Sequence, residues 1–307
     1  MNYVISAEHN GKTILEYLKK VLVLSRAEIT SLKNKENGIL LNGGHMTVRA
    51  VLSENDVLSL ARADTEEAQN KNIVPRNIPI DILYEDDDMI AVNKPYGMPT
   101  HPSHGHFDDT LANALSFYFA EKGIPFVFRA VNRLDRDTSG VVLVAKNRSA
   151  AFKLSIQLSE GFAEKEYIAV AEGFISENGC IKAFIKRKYE SIIERTVCPP
   201  TEGQYAETCY MPLASNKKAT LLSVAPKTGR THQIRVHLSH IGHPICGDTL
   251  YGNPDGSPLI SRQALHCLKL TVRRIDSGDP ITLTAPLHDD MKKLSDMIYD
   301  ENLLVKT

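Results

Sequence analysis

Val131-Asn132-Arg133-Leu134-Asp135-Arg136-Asp137-Thr138-Ser139-Gly140 runs directly into Val141-Val142-Leu143-Val144-Ala145, and the reading of this chain turns on that stretch. The five apolar residues read as a buried strand. The ten before them form a polar loop that carries charge to the strand's edge, where catalytic groups usually sit. Arg133 and Asp135 stand two apart, so extended backbone sends both side chains off the same side. A neighbouring guanidinium favours the ionised carboxylate, and an ionised, oriented Asp suits nucleophilic or electrostatic work. Thr138, Ser139 and Gly140 supply hydroxyls and a tight turn. An isolated Arg-x-Asp is more often an Asp that caps its own loop beside an Arg that binds a neighbour. The case therefore rests on what lies around it.

Two further stretches follow. Phe162-Ala163-Glu164-Lys165-Glu166-Tyr167-Ile168-Ala169-Val170, then Glu172-Gly173, alternates like a half-buried strand, with Lys165 and Tyr167 on one face. A tyrosine ring in such a place can stack on a pyrimidine. Lys227-Thr228-Gly229-Arg230-Thr231-His232-Gln233-Ile234-Arg235-Val236-His237-Leu238 reads as a loop entering a helix. Thr231 is expected to cap that helix, which runs to about Ile241 with Gly242 just past its end. Ile234, Leu238 and Ile241 make its apolar stripe; His232, Arg235 and Ser239 lie on another face. Cations in the first turns beside Gly229 suit a phosphate. His232, His237, His240 and His243 are spread around the helix, and no carboxylate lies between His232 and Gly247, so no metal site is expected.

Upstream, Ile80 opens a β-rich region. Ile82-Leu83-Tyr84 and Met89-Ile90-Ala91-Val92 flank an acidic turn, Glu85-Asp86-Asp87-Asp88, as a hairpin does. The turn lacks the glycine and distal glutamate of a calcium loop. Asn93-Lys94-Pro95-Tyr96-Gly97 then leads to a helix from Leu111 to about Phe119. The first sixty residues hold two short helices, Ile14–Leu22 and Arg26–Asn34 with Ser25 as a cap, and a few strands around an Asn42-Gly43 turn. Ala61 to Asn77 is polar and without period, ahead of Pro75 and Pro79. The expected division is a small α/β domain over residues 1–62, a linker over 63–79 and a larger domain over 80–307.

The whole chain, 307 residues with 42% hydrophobic and 24% charged, is ordinary for a globular protein. That composition excludes a disordered chain, a collagen or a coiled coil. No apolar run approaches the roughly 18 residues of a membrane span, and the first residues lack a secretory signal. The expectation is a cytoplasmic protein. Five scattered cysteines without a Cys-x-x-Cys pair are expected as reduced thiols, not as a disulfide framework or zinc ribbon. The net charge of −1 hides a segregation. Residues 180–240 hold ten Lys or Arg against four Glu, and 275–307 three Lys against seven acids. Any nucleic acid must therefore meet a local basic patch.

Taken in order, the three stretches resemble the motifs of the RluA-type family of pseudouridine synthases. The first matches the family's His-Arg-Leu-Asp-x-x-Thr-Ser-Gly except that Asn132 replaces the His. Lys165-x-Tyr167 resembles its Lys-x-Tyr strand. Gly229-Arg230-Thr231-His232-Gln233-Ile234-Arg235-Val236-His237 resembles its Gly-Arg-x-His-Gln-Ile-Arg-x-His motif, and His243-Pro244 to Asp248, then Leu250-Tyr251-Gly252, continue in kind. Leu24 to Ile29, Ile39 to Gly43 and Glu54 to Leu58 resemble the small RNA-binding domain of ribosomal protein S-four.

The resemblance implies an α+β fold, a mixed and mainly antiparallel sheet with flanking helices and a central cleft, plus the small N-terminal domain. It implies isomerisation of uridine to pseudouridine in RNA, most commonly large-subunit ribosomal RNA, without cofactor or metal; a monomer is expected, though no residue pattern speaks to the oligomeric state. Asp135 is then the nucleophile or base acting on the ribose. Arg235 pairs with it, and Tyr167 stacks on the extruded uracil and helps shuttle a proton. Arg133, Thr138, Ser139, Gly140, Lys165, Gly229, Arg230, His232 and Gln233 are implied substrate contacts. Arg26, Lys33, Asn42 and Gly43 are implied RNA contacts of the small domain. Asn at 132 cannot carry charge, so an altered substrate or rate is expected there. Two other readings compete: a catalytically silent RNA-binding or ribosome-assembly protein on the same scaffold, and a metal-dependent hydrolase.

Overall fold

The computed structural model describes residues 2–22, 24, 26–61, 73–189, 191, 193–216 and 218–305. Strands β1 (Asn2–Val4), β2 (Ile39–Leu41), β3 (Gly44–His45) and β4 (Val57–Leu60) form an antiparallel sheet in the order β1-β4-β2-β3. Helices α1 (Ile14–Lys20) and α2 (Arg26–Lys33) precede β2 in the chain. Thr13 and Glu16 start α1 with reciprocal bonds, side chain to backbone in both directions. Ile14, Leu18, Ile29, Leu32, Ile39 and Leu58 close a core of their own. Asn42 (φ 52°) and Gly43 (φ 81°) turn the β2–β3 hairpin through the left-handed region. The Asn42 amide is committed to that turn: Nδ2 donates to Asp56 Oδ1, and Oδ1 accepts from the Val57 amide, both at 2.8 Å. The Ser25 cap and the part of the expected linker at 63–72 lie outside the described residues. Residues 73–79 are held to the larger region, where Asn113 Nδ2 donates to Val74 O and the Arg76 amide to Asn113 O.

The second sheet has ten strands: β5 (Asp81–Glu85), β6 (Met89–Lys94), β7 (Ser139–Ala145), β8 (Glu164–Glu172), β9 (Gly179–Arg187), β10 (Arg195–Cys198), β11 (Gln204–Ser215), β12 (Ala219–Pro226), β13 (Leu265–Arg273) and β14 (Pro280–Thr284). Their order is β10-β9-β11-β12-β8-β13-β7-β6-β5, with β14 also paired to β13. The β7–β13 pairing is parallel; the other described pairings are antiparallel. Helices α3 (Leu111–Glu121), α4 (Arg148–Ser159), α5 (Gln233–His240) and α6 (Asp289–Val305) complete the mixed α+β fold. All seven residues of β7 are buried, as the apolar run after Gly140 requires. Val141 to Ala145 pack with Ile90, Leu115, Phe119, Val170, Leu222, Leu238 and Leu270 in one core. The Asp86 carboxylate closes the β5–β6 turn on the amides of Asp88 and Met89, both at 2.8 Å.

Two expectations are corrected. The helix after Gly229 begins at Gln233, not behind a Thr231 cap: His232 stands at the N-cap with φ 58° and no side-chain cap. The loop is closed from inside instead, by Gln233 Oε1, which accepts from Thr228 Oγ1 at 2.6 Å and from the Arg230 amide at 3.0 Å. The second concerns the cysteines. Cys180 and Cys209 lie directly opposite in the β9–β11 ladder and are joined by a disulfide. Their 29-residue separation conceals an antiparallel register that makes them neighbours. Cys198, Cys246 and Cys267 are free thiols. No helix among the described residues is long and apolar enough to cross a membrane.

Candidate active site

Sheet order assembles the site. β13 lies between β8 and β7, so the loop before β7 and the side chains of β8 meet across it. The crossing from β12 to β13 carries α5, which brings a third element to the same place. Asp135 comes from the loop, Tyr167 from β8 and Arg235 from α5.

Asp135 Oδ2 accepts from Arg235 Nη1 at 2.9 Å and lies 3.6 Å from His232 Nε2. Its side chain keeps 29% of its exposure while that of Arg235 keeps 8%, so the carboxylate is the member of the pair that faces solvent. The rest of the guanidinium is bound to Asp248, which is fully buried. Burial alone would depress the Arg235 guanidinium, but Asp248 and Asp135 together hold it above its ordinary value. Arg235 therefore stays charged beside Asp135. The Tyr251 ring lies 5.0 Å from its Cζ atom, a cation–π contact.

His232 Nδ1 and Tyr251 Oη are 2.7 Å apart, and Tyr251 Oη accepts from the Arg195 amide at 2.8 Å. Burial lowers the His232 pKa, with Arg235 and Arg195 pushing the same way and Asp135 against. A neutral imidazole that takes the Tyr251 proton on Nδ1 keeps its own on Nε2, facing Asp135. Tyr167 is buried opposite Cys267 in the β8–β13 ladder. Burial first, then Cys267, pushes its phenol well above the ordinary value, so it stays protonated near neutral pH. Lys165, on the same face, has its ammonium lowered by burial. Its Nζ lies 3.6 Å from where a side chain at Gly229 would begin, an ordinary van der Waals contact.

Several expected contacts turn inward. Thr138 and Ser139 are buried: Thr138 Oγ1 accepts from Gln263 Nε2 at 3.0 Å, and Ser139 Oγ lies 2.9 Å from His266 Nδ1. Gly140 (φ 112°) passes so close to β13 that a Cβ would stand 2.2 Å from Cys267 O. Gln233 is likewise buried, donating to Glu207 O and Thr208 Oγ1, both at 2.9 Å. These four residues shape the loops that present Asp135 and Arg230. Asn132 does the same: Nδ2 donates to Val141 O at 2.9 Å and Oδ1 accepts from the Leu143 amide at 2.8 Å, fastening the loop to β7. Arg133 is exposed, as is Arg230, whose Nε donates to Tyr205 O at 3.0 Å. Arg26, Lys33 and Gly43 are exposed on the smaller sheet's unit.

Sequence reasoning gave no role to Asp248, Tyr251 or Lys94. The first two stand in Gly247-Asp248 and Leu250-Tyr251, noted only as part of a pattern; nothing local shows that Asp248 holds Arg235. Lys94 is fully buried and donates to the carbonyls of Pro95, Met98 and Arg136 at 2.8, 2.7 and 3.0 Å. It thereby ties β6 to the residue after Asp135. Burial pushes its ammonium down to about 7, with Asp135 and Asp137 pulling the other way. Among the described residues, one cluster of metal-ligating types lies within 4.8 Å, namely Cys180, Glu207 and Cys209. The disulfide takes both of its sulfurs. The four histidines near α5 do not converge: His237 Nδ1 lies 3.0 Å from Thr208 Oγ1, and His243 Nδ1 donates to Glu172 O at 2.8 Å.

A geometry of this kind can hold one ionised carboxylate, half-exposed, against a buried guanidinium, with a tyrosine ring beside it. The chain as a whole is similar to known proteins. Residues 88–240 match the family described as RNA pseudouridylate synthase. An uncharacterized RNA pseudouridine synthase of Bacillus subtilis is 38% identical over 283 residues, 92% of this chain and 98% of that protein. The ribosomal large subunit pseudouridine synthase D of Borreliella burgdorferi is 37% identical over 259 residues, 81% of this chain and 78% of that protein. Among solved structures, human RNA pseudouridylate synthase domain containing 1 superposes with a TM-score of 0.59 at 25% identity, covering 70% of this chain and 87% of that one. On its sheet, its motifs and a similarity that runs through nine-tenths of its length, the chain belongs to the RNA pseudouridine synthase family, isomerases that act on RNA.

Proposed function

We propose that this chain converts uridine in large-subunit ribosomal RNA to pseudouridine, with Asp135 as the group that acts on the ribose. The observation that carries it is the half-exposed Asp135 carboxylate, 2.9 Å from a guanidinium that Asp248 holds from behind. The reaction breaks the N1–C1′ bond and joins C5 to C1′; N1 gains a proton and C5 loses one, so the exchange is redox-neutral. An ionised carboxylate serves either as nucleophile at C1′ or as base at C2′. Tyr167 supplies a ring against which a uracil can lie. Arg133 is free at the surface to meet phosphate or fill the space of the extruded base, whose unstacking costs a few kcal/mol. The ribosomal substrate is supported by the relatives named for large-subunit RNA. Residues 1–62 act in this reading as an RNA-binding domain like that of ribosomal protein S-four, joined through 63–79 to the catalytic domain at 80–307. Its exposed Arg26, Lys33 and Gly43 are the RNA contacts.

The test uses large-subunit ribosomal RNA transcribed with tritium at uridine C5. Release of tritium by wild type and none by Asp135→Asn is the expected result. Release undiminished in Asp135→Asn removes the role of Asp135, and no release by either protein removes the proposed substrate.

A further inference from the structure

Arg187 and Arg195 face each other directly across the β9–β10 ladder. Like charges directly opposite in a sheet are destabilising, and among the described residues no carboxylate lies within ion-pair distance of either. Both line a cleft of about 470 Å³ whose walls also include Lys186, Glu202, Arg230 and Thr231. Glu202 is already bonded to Lys186. Arg230 uses Nε on Tyr205 O, and Arg195 uses Nη1 on the Ile193 and Glu194 carbonyls. Four cations and one carboxylate thus share one polar cleft, and among the described residues none of the three guanidinium groups has an ion-pair partner.

The cleft adjoins the site already described. The Arg195 amide donates to Tyr251 Oη at 2.8 Å, Tyr251 Oη is 2.7 Å from His232 Nδ1, and His232 Nε2 is 3.6 Å from Asp135 Oδ2. Arg230 lies two residues before His232. The cleft wall and Asp135 are thus joined through Tyr251 and His232. Guanidinium forks match the oxygens of a phosphodiester, and repulsion between Arg187 and Arg195 is relieved when an anion sits between them. A sequence conflict retained in a sheet in this way is expected where function compensates it.

We propose that Arg187, Arg195 and Arg230 form a phosphate subsite that grips the RNA backbone beside the nucleotide held at Asp135. This rests on the proposed RNA substrate and adds the place where the strand is anchored. The subsite sets how tightly RNA is held and leaves the chemistry to Asp135.

The experiment compares wild type, Arg187→Gln with Arg195→Gln, and Lys293→Ala as a charge control on α6, each checked for folding by thermal unfolding. The probe is the tritiated ribosomal transcript, read both for binding across a range of salt concentrations and for tritium release. In the double variant, affinity falls about tenfold and the slope of log affinity against log salt shrinks by about 0.7, one phosphate's worth for single-stranded nucleic acid. The loss in turnover appears in KM, and Lys293→Ala behaves as wild type. Arg187→Lys with Arg195→Lys keeps the charge but not the fork, and recovers part of the affinity. Tritium release by all proteins with unchanged KM and salt slope overturns the subsite and leaves the proposed function standing. No release by wild type removes the proposed substrate, and the salt slope alone then decides the subsite. Inorganic phosphate at millimolar concentration serves as competitor. Displacement by phosphate together with an unchanged slope identifies a small-anion site and overturns the proposal.

Discussion

Asp248 grips Arg235 through two parallel hydrogen bonds, Nε to Oδ2 at 2.6 Å and Nη2 to Oδ1 at 2.8 Å, from a position with no solvent exposure. Arg235 has one nitrogen left, Nη1, for Asp135. Asp248 therefore determines where the partner of the Asp135 carboxylate stands. Asp248 Oδ1 also accepts from the amides of Leu250 and Tyr251, at 3.0 and 3.1 Å, which fixes the carboxylate in turn.

Asp248→Ala leaves a buried guanidinium without its main partner, and its stability falls by about 3–5 kcal/mol in chemical denaturation. Asp248→Asn keeps the shape and one of the two acceptors. It folds, and its kcat for tritium release drops by up to about a hundredfold because the guanidinium drifts from Asp135. KM stays within about threefold of wild type, since the fully buried Asp248 is out of reach of RNA. A purely structural Asp248 would show lost stability with kcat intact in the folded fraction.

Gly140→Ala is expected to damage the fold rather than the chemistry. The position has φ 112°, and the added carbon would stand 2.2 Å from the backbone oxygen of Cys267. Both a strained backbone and a clash with β13 follow, at about 3 kcal/mol or more together. The parallel β7–β13 pairing that brings Asp135 beside Tyr167 must open to admit it. Thermal unfolding of the variant, compared with Gly161→Ala at an open position, reads the difference.

Acid weakens the protein through His237 and His266, both pushed down to about 4, chiefly by burial. Each binds a proton more weakly folded than unfolded, where the value is the ordinary 6.5. Stability is therefore whole above about pH 6.5 and is lost as pH falls toward 4. His266 Nε2 donates to Ala285 O at 3.1 Å and Nδ1 is left to accept from Ser139, so a second proton removes a bond beside the loop that carries Asp135. The unfolding midpoint, measured across this window, falls less steeply in His266→Gln than in wild type.

Reduction of the Cys180–Cys209 bond is expected to destabilise the β9–β11 region. The bond closes a loop of 29 residues, which corresponds to about 3–4 kcal/mol in the chain-entropy account. Thermal unfolding with and without dithiothreitol tests this, with Cys180→Ser and Cys209→Ser together as the comparison. Equal midpoints for the oxidised protein and the double variant would set the entropic account aside.

Local sequence was enough for several features that depend on near neighbours, though not for the start of α5, where His232 stands at the N-cap instead of Thr231. The apolar run Val141–Ala145 had to be a buried strand, Asn42-Gly43 had to turn a hairpin, and the three motif stretches pointed to Asp135, Tyr167 and Arg235 by resemblance. What near neighbours do not carry is register. Cys180 meets Cys209, and Arg187 meets Arg195, only because antiparallel strands place residues of distant number opposite one another. Asp248 reaches Arg235 because a turn after α5 folds back onto it. The hydroxyls of Thr138 and Ser139 face inward because Gln263, just before β13, and His266, on it, stand behind them, a choice no loop composition encodes. The sequence by itself determined which elements form and which residues carry the charge. The tertiary structure decided which of those residues face each other, because side chains far apart in the chain become partners only when strand order and register bring them within bonding distance.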